Sequence, residues 1–341
     1  MVKETSRLRL ALHTDHREHG EQGRVYRDNL DLFVLAEQLG YDSAWVRSYH
    51  FRNQVVGHSF PGGLPSPFPF LAAVAARTSR IRLGTGVVPL PLENPVRVAE
   101  DAAVLDALSE GRFELGVSNG GQPLTAAALG VEVAVDREAK KVDYLQRLEQ
   151  LTAALDGAPL HGTDQLVNPP APGLSGRVWE SALTELTGTE SARRGHGVLV
   201  GTTQTVPAEV TAAAYHAALP DGAVARVGVV VHVHVAESRE TALRALADDL
   251  DAVHRWGRAW LPPAETPAER AAALNVHYGT PEQVASSIAA SAPFPLATEL
   301  QVSVAYGTTA HAQRVEAVHA VVEQVAPSLG WRPHLPVEAV A

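Results

Sequence analysis

Residues 80–120 read RIRLGTGVVPLPLENPVRVAEDAAVLDALSEGRFELGVSNG, and this stretch decides the fold. Residues 81–87 are a short apolar run rich in β-formers. Pro89 and Pro91 break it, because proline has no N–H to give to a strand ladder. Pro95 opens a helix at a position where the missing N–H costs nothing. That helix is expected to run to about Leu108 and to stop at Ser109-Glu110-Gly111, where glycine takes the left-handed cap conformation freely. Residues 113–117 then read as the next strand. A strand, a crossover helix and a second strand between residues 81 and 117 make a parallel βαβ unit.

Working outward, strands are expected at residues 8–12, 43–46, 81–87, 113–117, 178–181, 197–200, 227–235 and 299–303. Helices are expected at 29–39, stopped by Gly40, then at about 69–77, 95–108, 136–155, 189–194 and 310–325. The helix at 136–155 carries Val142, Leu145, Leu148, Leu151 and Leu155 at helical spacing, and the last one carries Val315, Val318, Val322 and Val325. The Pro/Gly-rich segment 157–176 reads as a surface insertion. Thr280-Pro281-Glu282-Gln283 is a helix start. Repeated βα units predict the α/β class and a (β/α)8 TIM barrel with insertions in its βα loops, one domain over residues 1–341. The competing architecture is an open doubly wound sheet. No Gly-x-Gly-x-x-Gly joins a first strand to its helix to support it.

Composition narrows the function classes. The chain has 341 residues, of which 45% are hydrophobic, and a formal net charge of -10. That charge argues against a nucleic-acid surface and against an anionic membrane face. With no cysteine there is no disulfide, thiolate chemistry or iron–sulfur site. Neither a signal peptide nor a membrane-spanning run is evident, so a cytoplasmic location is expected.

In a barrel, chemistry belongs at the C-terminal ends of the strands. His13, Thr14 and Asp15 follow the first, Arg47, Ser48, Tyr49, His50 and Phe51 the second, Gly86, Val87 and Val88 the third, and Ser118, Asn119 and Gly120 the fourth. His232 and His234 share one face of the seventh strand. No carboxylate pair or third ligand accompanies them, so no metal site is assigned and His234 is expected in the substrate pocket. The connection from Phe51 to Phe70 is far longer than a usual βα loop. Its prolines, the pair Gly62-Gly63, and an apolar underside of Phe60, Leu64 and Phe68 suit a loop that closes over a ligand.

The Gly-Thr-Gly at 84–86, Leu-Glu-Asn-Pro at 92–95, Arg-x-Ala-Glu-Asp at 97–101 and Ser-x-Gly-Arg-Phe at 109–113 together resemble the bacterial luciferase-like flavin monooxygenases. The resemblance covers most of the chain and is densest from Leu35 to Gly121. It implies that reduced FMN, supplied by a separate flavin reductase, and O2 oxidise a small organic substrate. It also implies a cis peptide at Gly86–Val87 under the flavin ring, with Gly86, Val87, Ser118 and Asn119 at the cofactor. Thr184, Thr187, Gly188 and Thr189 would hold the phosphate at a helix N-terminus capped by Thr187 or Thr189.

Two departures from the family pattern stand out. Where Glu-His-His-Phe is usual, this chain has Ser48-Tyr49-His50-Phe51, leaving His50 as acid or base and Tyr49 as a hydrogen-bond donor. A family arginine at the phosphate is replaced by Asn119, for which Arg193 and Arg194 could compensate. His13, Phe51 and His234 are the expected substrate-pocket residues. Two alternatives remain open: a deazaflavin-dependent hydride-transfer oxidoreductase, and a non-catalytic flavin-binding protein. The alanine-rich helices after the second and third strands, matching the helices through which family members dimerise, imply a homodimer.

Overall fold

A computed structural model describes residues 7–14, 22–51, 64–121, 123–201, 206–257, 261–304, 306 and 310–333. In chain order the elements begin β1 (Arg9–Thr14), α1 (Gln22–Gln38), β2 (Ser43–Val46), α2 (Pro67–Ala75), β3 (Arg82–Thr85) and a two-residue β4 (Val88–Pro89). They continue with α3 (Pro95–Leu108), β5 (Phe113–Ser118), α4 (Pro123–Leu129), α5 (Arg137–Leu155), β6 (Val178–Ser181) and α6 (Glu185–Arg193). Next come β7 (Gly197–Val200), α7 (Ala208–Ala218), β8 (Val227–Val235), α8 (Arg239–Gly257) and α9 (Pro267–Ala273). The last are β9 (Val276–Gly279), α10 (Pro281–Ala289), β10 (Glu299–Ser303) and α11 (His311–Ala320), which runs on as a π-turn at Val321–Val325.

Every strand pairing is parallel, in the order β1-β2-β3-β5-β6-β7-β8-β10, and β10 returns to β1 with Arg9 opposite Glu299. The barrel is therefore closed, and its eight strands are those expected from sequence. β9 was not expected. It pairs with the upper half of β8 (His232↔Val276), after the lower half has paired with β10 (Gly228↔Glu299). A nine-residue strand thus serves two neighbours in succession. Among the described residues no helix is long and apolar enough to cross a membrane.

The barrel interior is filled by two indoles. Trp45 and Trp179 meet edge to face with centroids 5.3 Å apart, and Ala11 and Leu199 complete this inner cluster. The indoles fit because β3 and β7 place glycine against them. A Cβ on Gly84 would lie 2.2 Å from Trp45, and one on Gly197 2.5 Å from Trp179. Below them a charged layer closes the N-terminal end. Arg9 pairs with Glu299 and Arg82 with Glu114, while the Trp179 indole N–H donates to Glu114 at 2.6 Å. Outside the strands, the main core packs the opposite strand faces against the helices.

Three local expectations change. Segment 157–176 is not merely superficial, because Val167, Ala171 and Leu174 are buried in the main core. The alanines of α3 (Ala99, Ala102, Ala103) are buried by the chain's own neighbours, so their size serves packing within one subunit. α2 begins at Pro67. Leu64 is buried and Phe68 packs on Phe113 at 6.0 Å, so these two belong to the core and not to a lid; Phe60 and Gly62-Gly63 lie outside the described residues.

The β3–β4 edge carries a bulge. Gly84 pairs with Glu114 and Val88 with Val117, so four steps along one strand match three along the other. Thr85 fills the break. Its hydroxyl donates to the Gly116 carbonyl at 2.9 Å and accepts from the Gly116 N–H at 2.8 Å, in a fully buried setting.

Two measurements follow. Thr85→Val keeps the shape but orphans both Gly116 groups. At about 1–3 kcal/mol for each buried unsatisfied group, urea unfolding should show a loss of about 2–6 kcal/mol, with Thr85→Ser recovering much of it. An unchanged midpoint for the valine variant would mean the hydroxyl does not hold the bulge. The second concerns His277 on β9, whose Nδ1 lies 2.8 Å from the Ser287 hydroxyl and whose imidazole burial pushes down to about 4 from 6.5. The unfolded chain takes up a proton near 6.5 that the folded chain refuses until about 4. Stability is therefore full above that window and falls as pH drops through it, by up to about 3 kcal/mol from this group alone. Urea titrations near pH 7 and near pH 5 should show a smaller drop in His277→Gln than in the parent; equal drops would remove His277 as the source.

Candidate active site

Side chains alternate along a strand, so the positions two residues beyond the indole layer face the barrel mouth. They are His13, Arg47, Gly86, Ser118, Ser181, Gly201, His232 and Ser303. Apart from Arg47 and the two histidines, each is glycine or serine. Over β3, β5, β6, β7 and β10 the mouth is therefore a low floor with polar points rather than a plug of large side chains. In the parallel ladders Ser303 lies between His13 and His232, opposite both. Its hydroxyl is buried with no hydrogen-bond partner among the described residues.

Gly86 and His13 belong together. A Cβ on Gly86 would meet the His13 ring at 3.3 Å, so glycine there lets the imidazole lie against the end of β3. The Gly86–Val87 peptide is cis, as the resemblance implied, and Val87 packs on the indole cluster. Ser118 accepts from the Gly120 N–H at 3.3 Å, and Asn119 is exposed beside it.

Past β2, Ser48 bridges to Leu64, and the Tyr49 N–H donates to the Leu64 carbonyl at 3.0 Å. Tyr49 and His50 are half-buried, and Phe51 is 47% exposed at φ 60°. His50 Nε2 lies 3.9 Å from Glu93 Oε1, and burial lowers the imidazole's proton affinity. Burial, with Asp101 adding like charge, raises the Glu93 carboxyl. Sequence reasoning passed over Glu93, Ser181 and Ser303. Strand alternation was the signal for the two serines; Glu93 lies in the quoted Leu-Glu-Asn-Pro stretch, but nothing there pairs it with His50, which lies on another loop.

The segment expected to hold a phosphate also differs from expectation. α6 starts at Glu185, and its N-cap is Thr184, whose hydroxyl accepts from the Thr187 N–H at 3.2 Å and lies 2.9 Å from the Thr187 hydroxyl. Thr187 and Thr189 are thus inside the helix and not at its cap. The Gly188 N–H is taken by the Thr184 carbonyl at 3.0 Å, and a Cβ there would sit 2.5 Å from the Thr211 carbonyl of α7. Glycine at 188 serves close helix packing. Arg193 pairs with Glu190. Arg194 binds Glu180 with two bonds of 3.1 Å, where the His196 ring nitrogen (2.9 Å) and the Tyr144 hydroxyl (2.9 Å) also converge. Burial works to raise the Glu180 carboxyl, and these three partners outweigh it, leaving it below its usual range. Arg194 is therefore committed to the sheet.

On β8, His234 Nδ1 lies 3.1 Å from the Tyr306 carbonyl, and the His232 ring stands edge-on to Tyr306 with centroids 4.5 Å apart. Burial lowers the proton affinity of His234. Among the described residues no three His, Asp or Glu side chains gather as a metal site.

The luciferase-like monooxygenase family matches residues 7–296. The chain is 36% identical over 272 residues to a 4-hydroxyprotoasukamycin monooxygenase of Streptomyces nodosus subsp. asukaensis, covering 73% of this chain and 70% of that one. In fold it is similar to the oxygenating constituent of 3,6-diketocamphane monooxygenase of Pseudomonas putida, solved in complex with FMN. That likeness has a TM-score of 0.67 at 17% identity over 95% and 98% of the two chains. A coenzyme F420-dependent tetrahydromethanopterin reductase of Methanopyrus kandleri superposes equally well, with a TM-score of 0.67 at 16% identity over 95% and 99%. The family match extends over most of the chain, from β1 to just before the last barrel strand, β10, so the chain belongs to the luciferase-like monooxygenases and is an oxidoreductase.

Proposed function

We propose that the chain is an FMN-dependent monooxygenase that takes reduced FMN from a separate flavin reductase, and O2, and oxidises a small organic substrate. One observation carries the reading: the glycine and serine floor of the mouth, Gly86, Ser118, Ser181, Gly201 and Ser303, lying above a filled indole layer. A planar tricyclic ring needs such a floor, and the exposed first turn of α6 suits a phosphate beside it. Reduced FMN supplies the two electrons that let one oxygen atom enter the substrate while the other leaves as water.

The chain's own residues bind, orient and move protons. Gly86 and Val87 would bear the ring face, with Ser118 and Asn119 at its edge. The Thr184 and Thr187 hydroxyls would hold the phosphate; Gly188 and Thr189, inside the helix, would support that turn from behind. His50 is held neutral by burial and serves as acid or base, with Tyr49 as donor beside it. His13, Phe51 and His234 would line the substrate side. The reading includes a cytoplasmic location and a homodimer. With the α3 alanines buried, the outward apolar positions on that helix are Val104 and Leu108, one turn apart.

Anaerobic titration should show tight binding of reduced FMN and none of reduced deazaflavin. With a flavin reductase and labelled O2, the product should carry one labelled oxygen. Binding of the deazaflavin alone would replace this reading with hydride transfer, and FMN binding without turnover of any substrate would leave a flavin carrier. Thr184→Ala with Thr187→Ala removes two hydroxyls from a charged oxygen, each worth about 1.5–3 kcal/mol. FMN affinity should fall by about a hundredfold or more while riboflavin affinity stays the same. Equal losses for both flavins would put the phosphate elsewhere.

A further inference from the structure

Glu93 sits between β4 and α3, with its backbone fixed on both sides. Its N–H donates to the Leu90 carbonyl at 3.0 Å. Its own carbonyl accepts from Arg147 of α5 at 2.9 Å, and Arg147 is in turn gripped by the Asp143 carboxylate at 2.9 and 3.0 Å. The next residue, Asn94, caps α3 through the Val96 N–H at 2.9 Å. A side chain that is 38% exposed therefore leaves a rigid stem, and its Oε1 lies 3.9 Å from His50 Nε2. That nitrogen is buried and has no hydrogen-bond partner among the described residues. Closing the gap to hydrogen-bond length takes about 1 Å of carboxylate movement.

The chemistry of the two groups is complementary. A carboxylate accepts from an imidazole N–H, and when Nε2 carries the proton the lone pair of the neutral ring is on Nδ1. Among the described residues, charged groups near the pair include Asp101 of α3, held by Arg97 at 3.5 Å, and Arg147 of α5, already committed to Asp143 and to the Glu93 carbonyl. Arg147 therefore steadies the stem of Glu93 and leaves its carboxylate to His50.

We propose that Glu93 is the positioning residue of His50: its carboxylate holds the ring with the proton on Nε2 and leaves Nδ1 as the proton acceptor of the site. A proton taken up at Nδ1 makes the ring an imidazolium, and the charge of Glu93 balances it; no electrons move in that step. The inference deepens the reading above and rests on it, since a reaction at the mouth is what gives His50 a proton to accept.

The test is nitrogen-detected NMR of the imidazoles in the full chain without flavin, with His50 assigned by the signal lost in His50→Gln. In the parent protein His50 should be the Nε2–H tautomer. In Glu93→Gln its titration midpoint should fall by about 0.7 unit or more, the shift expected from removing one charge about 4 Å away in water. In Glu93→Ala the tautomer preference should be lost, and Glu93→Asp should restore part of the midpoint. In turnover, the acid limb of the kcat profile of Glu93→Gln should move down by the same amount while KM for reduced FMN holds. A parent His50 in the Nδ1–H form, or an unmoved midpoint in folded Glu93→Gln, overturns the proposal. The tautomer measurement needs no variant at Glu93 and no turnover, so it stands apart from any failure of the FMN reading.

Discussion

A closed parallel barrel has an inside that must be filled, and here the edge-to-face contact of Trp45 with Trp179 fills it. Two indoles are too large for an eight-stranded interior unless neighbouring strands give way, and the strands do so at Gly84 and Gly197. Everything above depends on that layer. It sets the height at which the mouth begins, and small residues above it leave open space instead of further packing. Beneath it, the paired charges of Arg9, Glu299, Arg82 and Glu114 are tolerable only because each finds a partner in the same layer.

The mouth is then shaped by a local irregularity. One extra residue between Gly84 and Val88 turns the strand edge so that Gly86 faces His13, and the Thr85 hydroxyl supplies the two hydrogen bonds that the ladder loses. Such breaks in a ladder are common beside functional sites because they re-aim the backbone. The same displacement leads the chain through the turn that carries Glu93 to the N-terminus of α3. The bulge, the Gly86 part of the floor and the placement of Glu93 are consequences of one short stretch of sequence.

That stretch was also the most legible. Period-two apolar runs, Pro95 and Gly111 are local signals, and they located β3, α3 and β5 nearly to the residue. β9 escaped notice because His277 and Tyr278 break up its apolar character over Val276–Gly279, and its pairing with β8 is set more than 40 positions away along the chain. The start of α6 was misjudged because Thr184, Thr187 and Thr189 are all competent caps, and only the geometry of the preceding strand selects among them. Glycine at 188 looked like a ligand contact, yet its reason lies on another helix, at Thr211. His50 could be found from its strand. Its carboxylate neighbour could not, since contacts between loops leave no mark on either loop.

The buried Glu180 cluster has a mechanical meaning. Arg194 follows directly on the last residue of α6, and Thr184 precedes its first, so a rod about 14 Å long joins the sheet carboxylate to the rim. Tyr144 and His196 clamp the lower end from α5 and from the approach to β7. The upper end is thereby aimed by a hinge point remote from any ligand. If the proposed phosphate placement holds, natural variation at Glu180 or Arg194 would swing the threonine hydroxyls across the rim and retune the fit of an anionic group without altering the threonines themselves.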